Sequence, residues 1–209
     1  MNIPVVYEDD WLLIADKPPG LLSVPDGCAE KRSLTGILND DLKERQVAYR
    51  LHPCHRLDRE TSGLIIYAKG KAQQQKIMQL FKERSVHKEY IAFVQGLLPK
   101  QEGQINYALE GKSALTKYRV IKGCGNFSIV EVMPQTGRTN QIRIHFKEIG
   151  HPIVGESKFA FRRDFPLRAK RVCLHAKYIE FKHPWTGKIV ALELSLASDM
   201  QKFLEDHQE

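Results

Sequence analysis

A short apolar run, Leu64-Ile65-Ile66-Tyr67-Ala68, stands directly behind a loop crowded with charge, "HPCHRLDRETSG", residues 52–63. The run is short, apolar and partly β-branched, which predicts a buried strand. Any fold open to this chain must bury that strand and still tolerate Arg56, Asp58 and Arg59 at its mouth. Thr61, Ser62 and Gly63 supply the turn chemistry between the two.

The neighbouring segments extend the pattern. "VVYEDDWLLIADKPPG" reads as two short strands about the acidic turn Glu8-Asp9-Asp10, ended by Pro18-Pro19-Gly20. Residues 33–44 predict a short helix with Ser33 as N-cap. Residues 71–84 predict a second helix with Ile77, Met78 and Phe81 on one stripe. "EYIAFVQG" reads as a strand, and "LTKYRVIK" with "FSIVEVMP" as an antiparallel pair about Gly123–Asn126. Residues 139–152 fit either period, because Ile142, Ile144 and Phe146 alternate while 142, 146 and 149 form a helical stripe. A cap at Thr139, Gly150 at the end and Pro152 beyond favour the helix. Residues 189–196 alternate Val190, Leu192, Leu194 and Leu196 against Glu193 and Ser195. Strands in adjacent pairs with helices between predict an α+β fold, with a central mixed and largely antiparallel sheet flanked by helices.

No linker or repeat divides the chain, so one domain over 1–209 is expected. The 42% hydrophobic content suits a packed core. There is no signal-peptide pattern at the N-terminus and no apolar run near the ~20 residues that span a bilayer, so a cytoplasmic protein away from membranes is expected. Cys28, Cys54, Cys124 and Cys173 form no C-x-x-C pair, which predicts reduced thiols. The eight histidines show no metal-ligand spacing. No metal and no cofactor are expected, since neither a P-loop nor a G-x-G-x-x-G follows a strand.

The net charge of +7 is concentrated. Between Arg138 and Lys177 lie ten Lys/Arg against Glu148, Glu156 and Asp164, an excess equal to that of the whole chain. Such clustering predicts a polyanionic partner, nucleic acid being the usual one.

Asp58 lies between two arginines. An aspartate before Thr-Ser-Gly can simply form an Asx-turn into a strand. A second dense motif, "GRTNQIRIH" at 137–145, carries Arg138 and Arg143. A guanidinium beside Asp58 would favour its ionised form, suited to act as nucleophile or base on a ligand drawn to a basic groove.

"HRLDRETSGL", 55–64, resembles the signature motif of the pseudouridine synthases of the RluA family, with Asp58 at the place of the catalytic aspartate. "DKPPGLLSVP", 16–25, is similar to the family's first motif. "HKEYIAFVQG", 87–96, resembles the segment carrying its active-site tyrosine, here Tyr90. "GRTNQIRIH" resembles the motif of its arginine, here Arg143. "GHPIVGESKF" and "CLHAKYIEFKHPWTG" resemble later segments in the same order. Asn140, where the family often has histidine or another polar residue, is a departure expected to leave the site untouched.

The resemblance implies the pseudouridine synthase catalytic fold. It implies isomerisation of a uridine within RNA: the N-glycosidic bond breaks, the uracil turns and a C–C bond replaces it. Asp58 would attack the nucleoside or remove a sugar proton. Arg143 would pair with Asp58, and Tyr90 would stack on a flipped base. Arg56 would fill the gap left in the RNA or hold its phosphate, and Leu174 would wall the pocket and keep it dry. His55 and Lys17 are read as supports of the loop rather than reacting groups.

Many relatives carry a small RNA-binding domain ahead of the first motif; here that motif starts at Lys17 and none is expected, and this with "GLLSVP" resembles the subgroup acting on 23S ribosomal RNA and the tRNA anticodon stem-loop; a monomer is expected. Arg138, Arg162 and Arg163 are candidate RNA contacts. The segment 156–171, with Phe159, Phe161 and Phe165 among basic residues, is a further one. An RNA-binding protein without catalysis would be expected to lose Asp58, Tyr90 or Arg143. An aspartate-dependent nucleoside or phosphate hydrolase would need a second carboxylate, for which Glu60 is the only near candidate.

Overall fold

The computed structural model describes residues 3–25, 32–160 and 167–207. They form two compact units. One runs to His87 and adds Tyr178–Leu194; the other comprises Lys88–Lys177 and the C-terminal stretch from Ser195.

In the first unit, β1 (Val5–Glu8) and β2 (Leu12–Lys17) pair antiparallel about the acidic turn. Asp9 closes that turn by accepting the N–H groups of Trp11 and Leu12, both at 2.8 Å. β4 (Ser62–Ala68) lies antiparallel to β2, from Leu12 opposite Ala68 to Lys17 opposite Gly63. All seven of its residues are buried, so the apolar run 64–68 belongs to a core strand. The short β3 (His52–Pro53) pairs with β4.

The helix α1 (Leu34–Glu44) starts where expected. Ser33 is extended, and its Oγ accepts the Gly36 N–H at 3.2 Å. Leu34, Leu38 and Leu42 form its buried stripe. In α2 (Lys71–Lys82), Ile77 is buried and Leu80 and Phe81 pack on the same core, but Met78 is 41% exposed. The stripe differs from the expected one by one position: 77, 80 and 81 share the inner face, and 78 lies beyond its edge.

The strand β9 (Leu174–Lys182) begins in the second unit and ends in the first, where it forms a hairpin with β10 (Ile189–Glu193). Val190 is buried; Leu192 and Leu194 pack partly on the core, and the strand ends at Glu193 rather than 196. At the hairpin turn Trp185 stacks on Trp11, with ring centroids 5.6 Å apart and planes 7° from parallel.

The second unit carries most of β5 (Val86–Gln95), β6 (Glu102–Asn106), β7 (Leu115–Cys124) and β8 (Phe127–Pro134). β5 pairs with β8, β8 with β7 and β7 with β6, all antiparallel. α3 (Gln141–Glu148) settles the ambiguous segment as a helix. Its start is not as expected. Asn140, not Thr139, is the N-cap, in the left-handed region at φ 53°. Ile142 and Phe146 are buried, but Ile149 lies past the helix end and is exposed.

α4 (Ser198–Asp206), which the sequence does not announce, inserts Phe203 against Phe93 and Phe127, with centroids 5.6–5.8 Å apart. The class is α+β, as predicted. Among the described residues, no helix is long and apolar enough to cross a membrane.

Candidate active site

Asp58 sits half-buried on the loop that leads into β4. Its carbonyl accepts the Thr61 N–H at 3.1 Å, so the chain turns sharply there. The loop is clamped from the segment 17–23 on both sides of Asp58. On one side, Ser23 Oγ donates to the Leu57 carbonyl at 2.7 Å and accepts the Leu57 N–H at 3.0 Å. On the other, the Gly20 N–H donates to the Arg59 carbonyl at 2.9 Å, and Arg59 Nε donates to the Gly20 carbonyl at 3.0 Å.

Lys17 completes the clamp. Its side chain is fully buried, and Nζ donates to the carbonyls of Pro18, Leu21 and Arg59 at 2.9, 2.8 and 3.1 Å. Three carbonyl dipoles replace the ammonium's lost hydration. The residue acts as a support, as expected. His55 is a support too: Nε2 accepts the Ile66 N–H at 3.0 Å, and its ring lies 4.9 Å from that of Phe81. A ring nitrogen accepting an amide proton is in its neutral form. Arg56 is exposed.

In the second unit, Tyr90 is a buried residue of β5, opposite Val132 of β8. Leu174, the first residue of β9, is buried. Arg138 is exposed, with Nε donating to the Ser113 carbonyl at 3.2 Å.

Arg143 has a partner that sequence reasoning does not foresee. It is 7% exposed on α3, and Nε and Nη2 donate to the two carboxylate oxygens of Glu156 at 2.7 and 2.8 Å. Nη1 donates to Asn140 Oδ1 at 2.9 Å, and the Phe159 ring lies 5.0 Å from the guanidinium carbon. Asn140 is therefore in direct contact with a proposed site residue, contrary to the expectation that its departure from the family pattern is immaterial. Its side chain serves Arg143 where an N-cap asparagine ordinarily serves its helix.

Glu156 is buried and also accepts the N–H groups of Ser157, Lys158 and Phe159 at 3.0, 2.8 and 3.2 Å. Burial alone would raise its carboxyl. The Arg143 hydrogen bonds and charge, with the amides of Lys158 and Phe159, outweigh burial and hold the group below the usual carboxylate range.

The basic segment is less of a surface than its composition implies. Besides Arg143, Arg171 is buried at 7% exposure. Its Nε and Nη2 donate to Asp199 on α4 at 2.6 and 2.7 Å, and Nη1 reaches the carbonyls of Val172 and Leu174. Arg171 is engaged within the fold by these contacts. Phe159 is half-buried, with the Arg143 guanidinium carbon 5.0 Å and Lys158 Nζ 5.2 Å from its ring centre. Arg162, Arg163, Phe161 and Phe165 lie outside the described residues. Arg138, Lys147, Lys158, Arg168 and Lys170 remain as exposed cations of this stretch.

Residues 11–148 match the family model described as RNA pseudouridylate synthase. The chain is 37% identical over 199 residues to the dual-specificity RNA pseudouridine synthase RluA of Vibrio cholerae, covering 87% of this chain and 78% of that protein. It is 36% identical over 201 residues to the protein of the same name from Yersinia pestis, covering 88% and 94%. The solved structure of human RNA Pseudouridylate Synthase Domain Containing 1 matches with a TM-score of 0.72 and 28% identity, over 93% of this chain and 83% of that one.

Proposed function

Since this chain belongs to the RNA pseudouridylate synthase family and is an RNA pseudouridine synthase, we propose that it isomerises uridines in stem-loops of both ribosomal and transfer RNA, with Asp58 as the essential carboxylate. The observation that carries the assignment of Asp58 is its loop. Leu57 and Arg59, on either side, are fixed by hydrogen bonds to Ser23, Gly20 and Lys17, so a half-buried carboxylate is held by its backbone rather than by chance. The dual specificity in the name of the Vibrio cholerae relative supports action on more than one RNA substrate.

In this reading Asp58 starts cleavage of the glycosidic bond, as nucleophile or as base. Arg143 acts as its charge partner. The Tyr90 ring stacks on the extruded uracil, and Leu174 helps to exclude water that would otherwise capture the sugar. Arg56, exposed at the loop, takes the phosphate or the gap left by the flipped nucleotide. Nothing is oxidised or hydrolysed: the C–N bond broken at the sugar is replaced by a C–C bond to the same ring. The whole chain, 1–209, works as one catalytic domain in the cytoplasm, as a monomer.

The test is direct. Unmodified transcripts of the cell's 23S ribosomal RNA and tRNAs are incubated with the protein, and pseudouridine is mapped. We expect sites in both RNA classes. Asp58→Asn should bind the same transcripts and form no pseudouridine. Multiple turnover by a verified Asn variant would end the assignment of Asp58, and sites in one RNA class only would end the dual-substrate reading.

A further inference from the structure

We propose that Glu156 is a positioning residue for the isomerisation: it fixes the plane of the Arg143 guanidinium and so sets the rate of the step in which Arg143 takes part. The inference rests on the reading above that Arg143 belongs to the reaction site.

Three observations converge. The carboxylate meets Arg143 in two-toothed fashion, which fixes orientation as well as distance. The carboxylate is itself immobilised, because Oε1 accepts three successive backbone N–H groups, those of Ser157, Lys158 and Phe159. The backbone leading into it is equally constrained: Gly155 has φ +84°, and a Cβ there would collide with the carbonyl of Arg171. The guanidinium is therefore located by a rigid frame rather than by a flexible acid.

Other contacts act on the same group. Asn140 takes Nη1 and the Phe159 ring covers the guanidinium face. A helix N-cap asparagine in a left-handed conformation, with its side chain on an arginine, breaks a local rule, and such breaks concentrate at functional positions. Glu156 is buried, so it is not itself an RNA contact.

The experiment uses a transcript that the wild-type protein modifies. Single-turnover rates at saturating RNA, Kd and thermal melting are measured for Glu156→Gln, Glu156→Asp, Arg143→Lys and the Glu156→Gln/Arg143→Lys double variant. Loosening the frame should lower the saturating rate of Glu156→Gln by about 100-fold, as small misplacements do, while Kd is retained. Glu156→Asp keeps the charge and should fall between Gln and wild type. The double variant should be no slower than Arg143→Lys alone, because Glu156 acts through Arg143.

A wild-type saturating rate in a less stable Glu156→Gln would overturn the inference and leave a structural ion pair. So would losses that add in the double variant. Arg143→Lys at full rate would overturn both the inference and the reading it rests on; a slow Arg143→Lys beside a fast Glu156→Gln overturns the inference alone. Should Glu156→Gln not fold, Glu156→Asp carries the same comparison and must be slower than wild type and non-additive with Arg143→Lys.

Discussion

Ser23 and Leu57, 34 residues apart in sequence, exchange two hydrogen bonds through one hydroxyl: Oγ donates to the Leu57 carbonyl and accepts its N–H. Both groups are buried, so Ser23→Ala strands a donor and an acceptor beside Asp58. The cost expected for buried polar groups left without partners is ~1–3 kcal/mol. The melting temperature should fall by about 2–4 °C for each kcal/mol. The saturating rate should fall as well, because Asp58 is the next residue. A melting curve with single-turnover kinetics checks both, and an unchanged rate would show that Leu57 does not set the position of Asp58.

The basic segment divides into fold and surface. Replacing Arg138, Lys158, Arg168 and Lys170 together with Gln should flatten the dependence of Kd on salt, by a log–log slope of about 0.7 for each phosphate of single-stranded RNA that the protein no longer neutralises. Arg171→Gln should leave that slope alone and lower the melting temperature, because it leaves the Asp199 carboxylate without its two-toothed partner. Titrations over a salt series, beside melting curves, separate the two effects. A slope unchanged in the four-Gln protein would move the RNA-binding surface elsewhere, with Arg56 and Arg59 the first candidates.

Two glycines of positive φ should respond unequally to alanine. At Gly155 the new methyl meets backbone, the Arg171 carbonyl and the Val172 nitrogen, which cannot swing aside. At Gly111, φ +72°, it would meet nothing within 4 Å among the described residues. Gly111→Ala should cost only the left-handed strain of about 1–2 kcal/mol. Gly155→Ala should cost distinctly more and should also disturb Glu156. Urea unfolding of the two variants gives the comparison; equal midpoints would mean that the Arg171 backbone yields.

Acid should weaken the fold in a window set by His175. Burial, helped by the Arg171 charge, pushes this imidazole down to about 4 from its ordinary 6.5. Between those values the unfolded chain binds the proton and the folded one does not. Stability is therefore complete above about pH 6.5 and falls as pH drops toward 4, by at most about 1.4 kcal/mol per pH unit for one group. His52 and His145 are shifted in the same direction by burial and add to the slope. Glu156 and Asp199, both lowered, lose their contributions as pH falls further, through their folded values. His175→Gln should reduce the slope between pH 6.5 and 4 in denaturant titrations at several pH values. An unaltered slope would assign the window to other groups.

What the sequence reveals of this molecule follows the range of the interactions involved. The Ser33 cap, the β1–β2 turn and the β4 run are decided within a few residues, and they are where the sequence places them. Met78 and Ile149 differ from expectation because an apolar stripe has edges, and only the packed partner shows which edge is covered. α4 is hard to see in the sequence because just Met200 and Phe203 of its nine residues are buried. At the site, motif resemblance points to Asp58, Tyr90 and Arg143. Lys17 and His55 are also legible as supports of the Asp58 loop, but the acid partners of the buried arginines do not stand out. Glu156 lies 13 residues from Arg143, Asp199 lies 28 from Arg171, and nothing local distinguishes a carboxylate that will be buried against an arginine from one left in water.

The two tryptophans of the chain are stacked on each other, Trp11 against Trp185, and both belong to the same unit as Asp58. Indole emission is therefore a local signal. It reports the β1–β2 turn and the β9–β10 hairpin, with Lys76 5.2 Å from the Trp185 ring, and carries no reporter from the unit that holds Tyr90, Arg143 and Glu156. Two nearly parallel indoles this close should also couple their transitions, giving a near-ultraviolet circular dichroism band that disappears when either ring is replaced. An unfolding experiment followed by that emission alone would read the surroundings of these two rings, and a tryptophan introduced on β7 or β8 would be needed to place a reporter in the second unit.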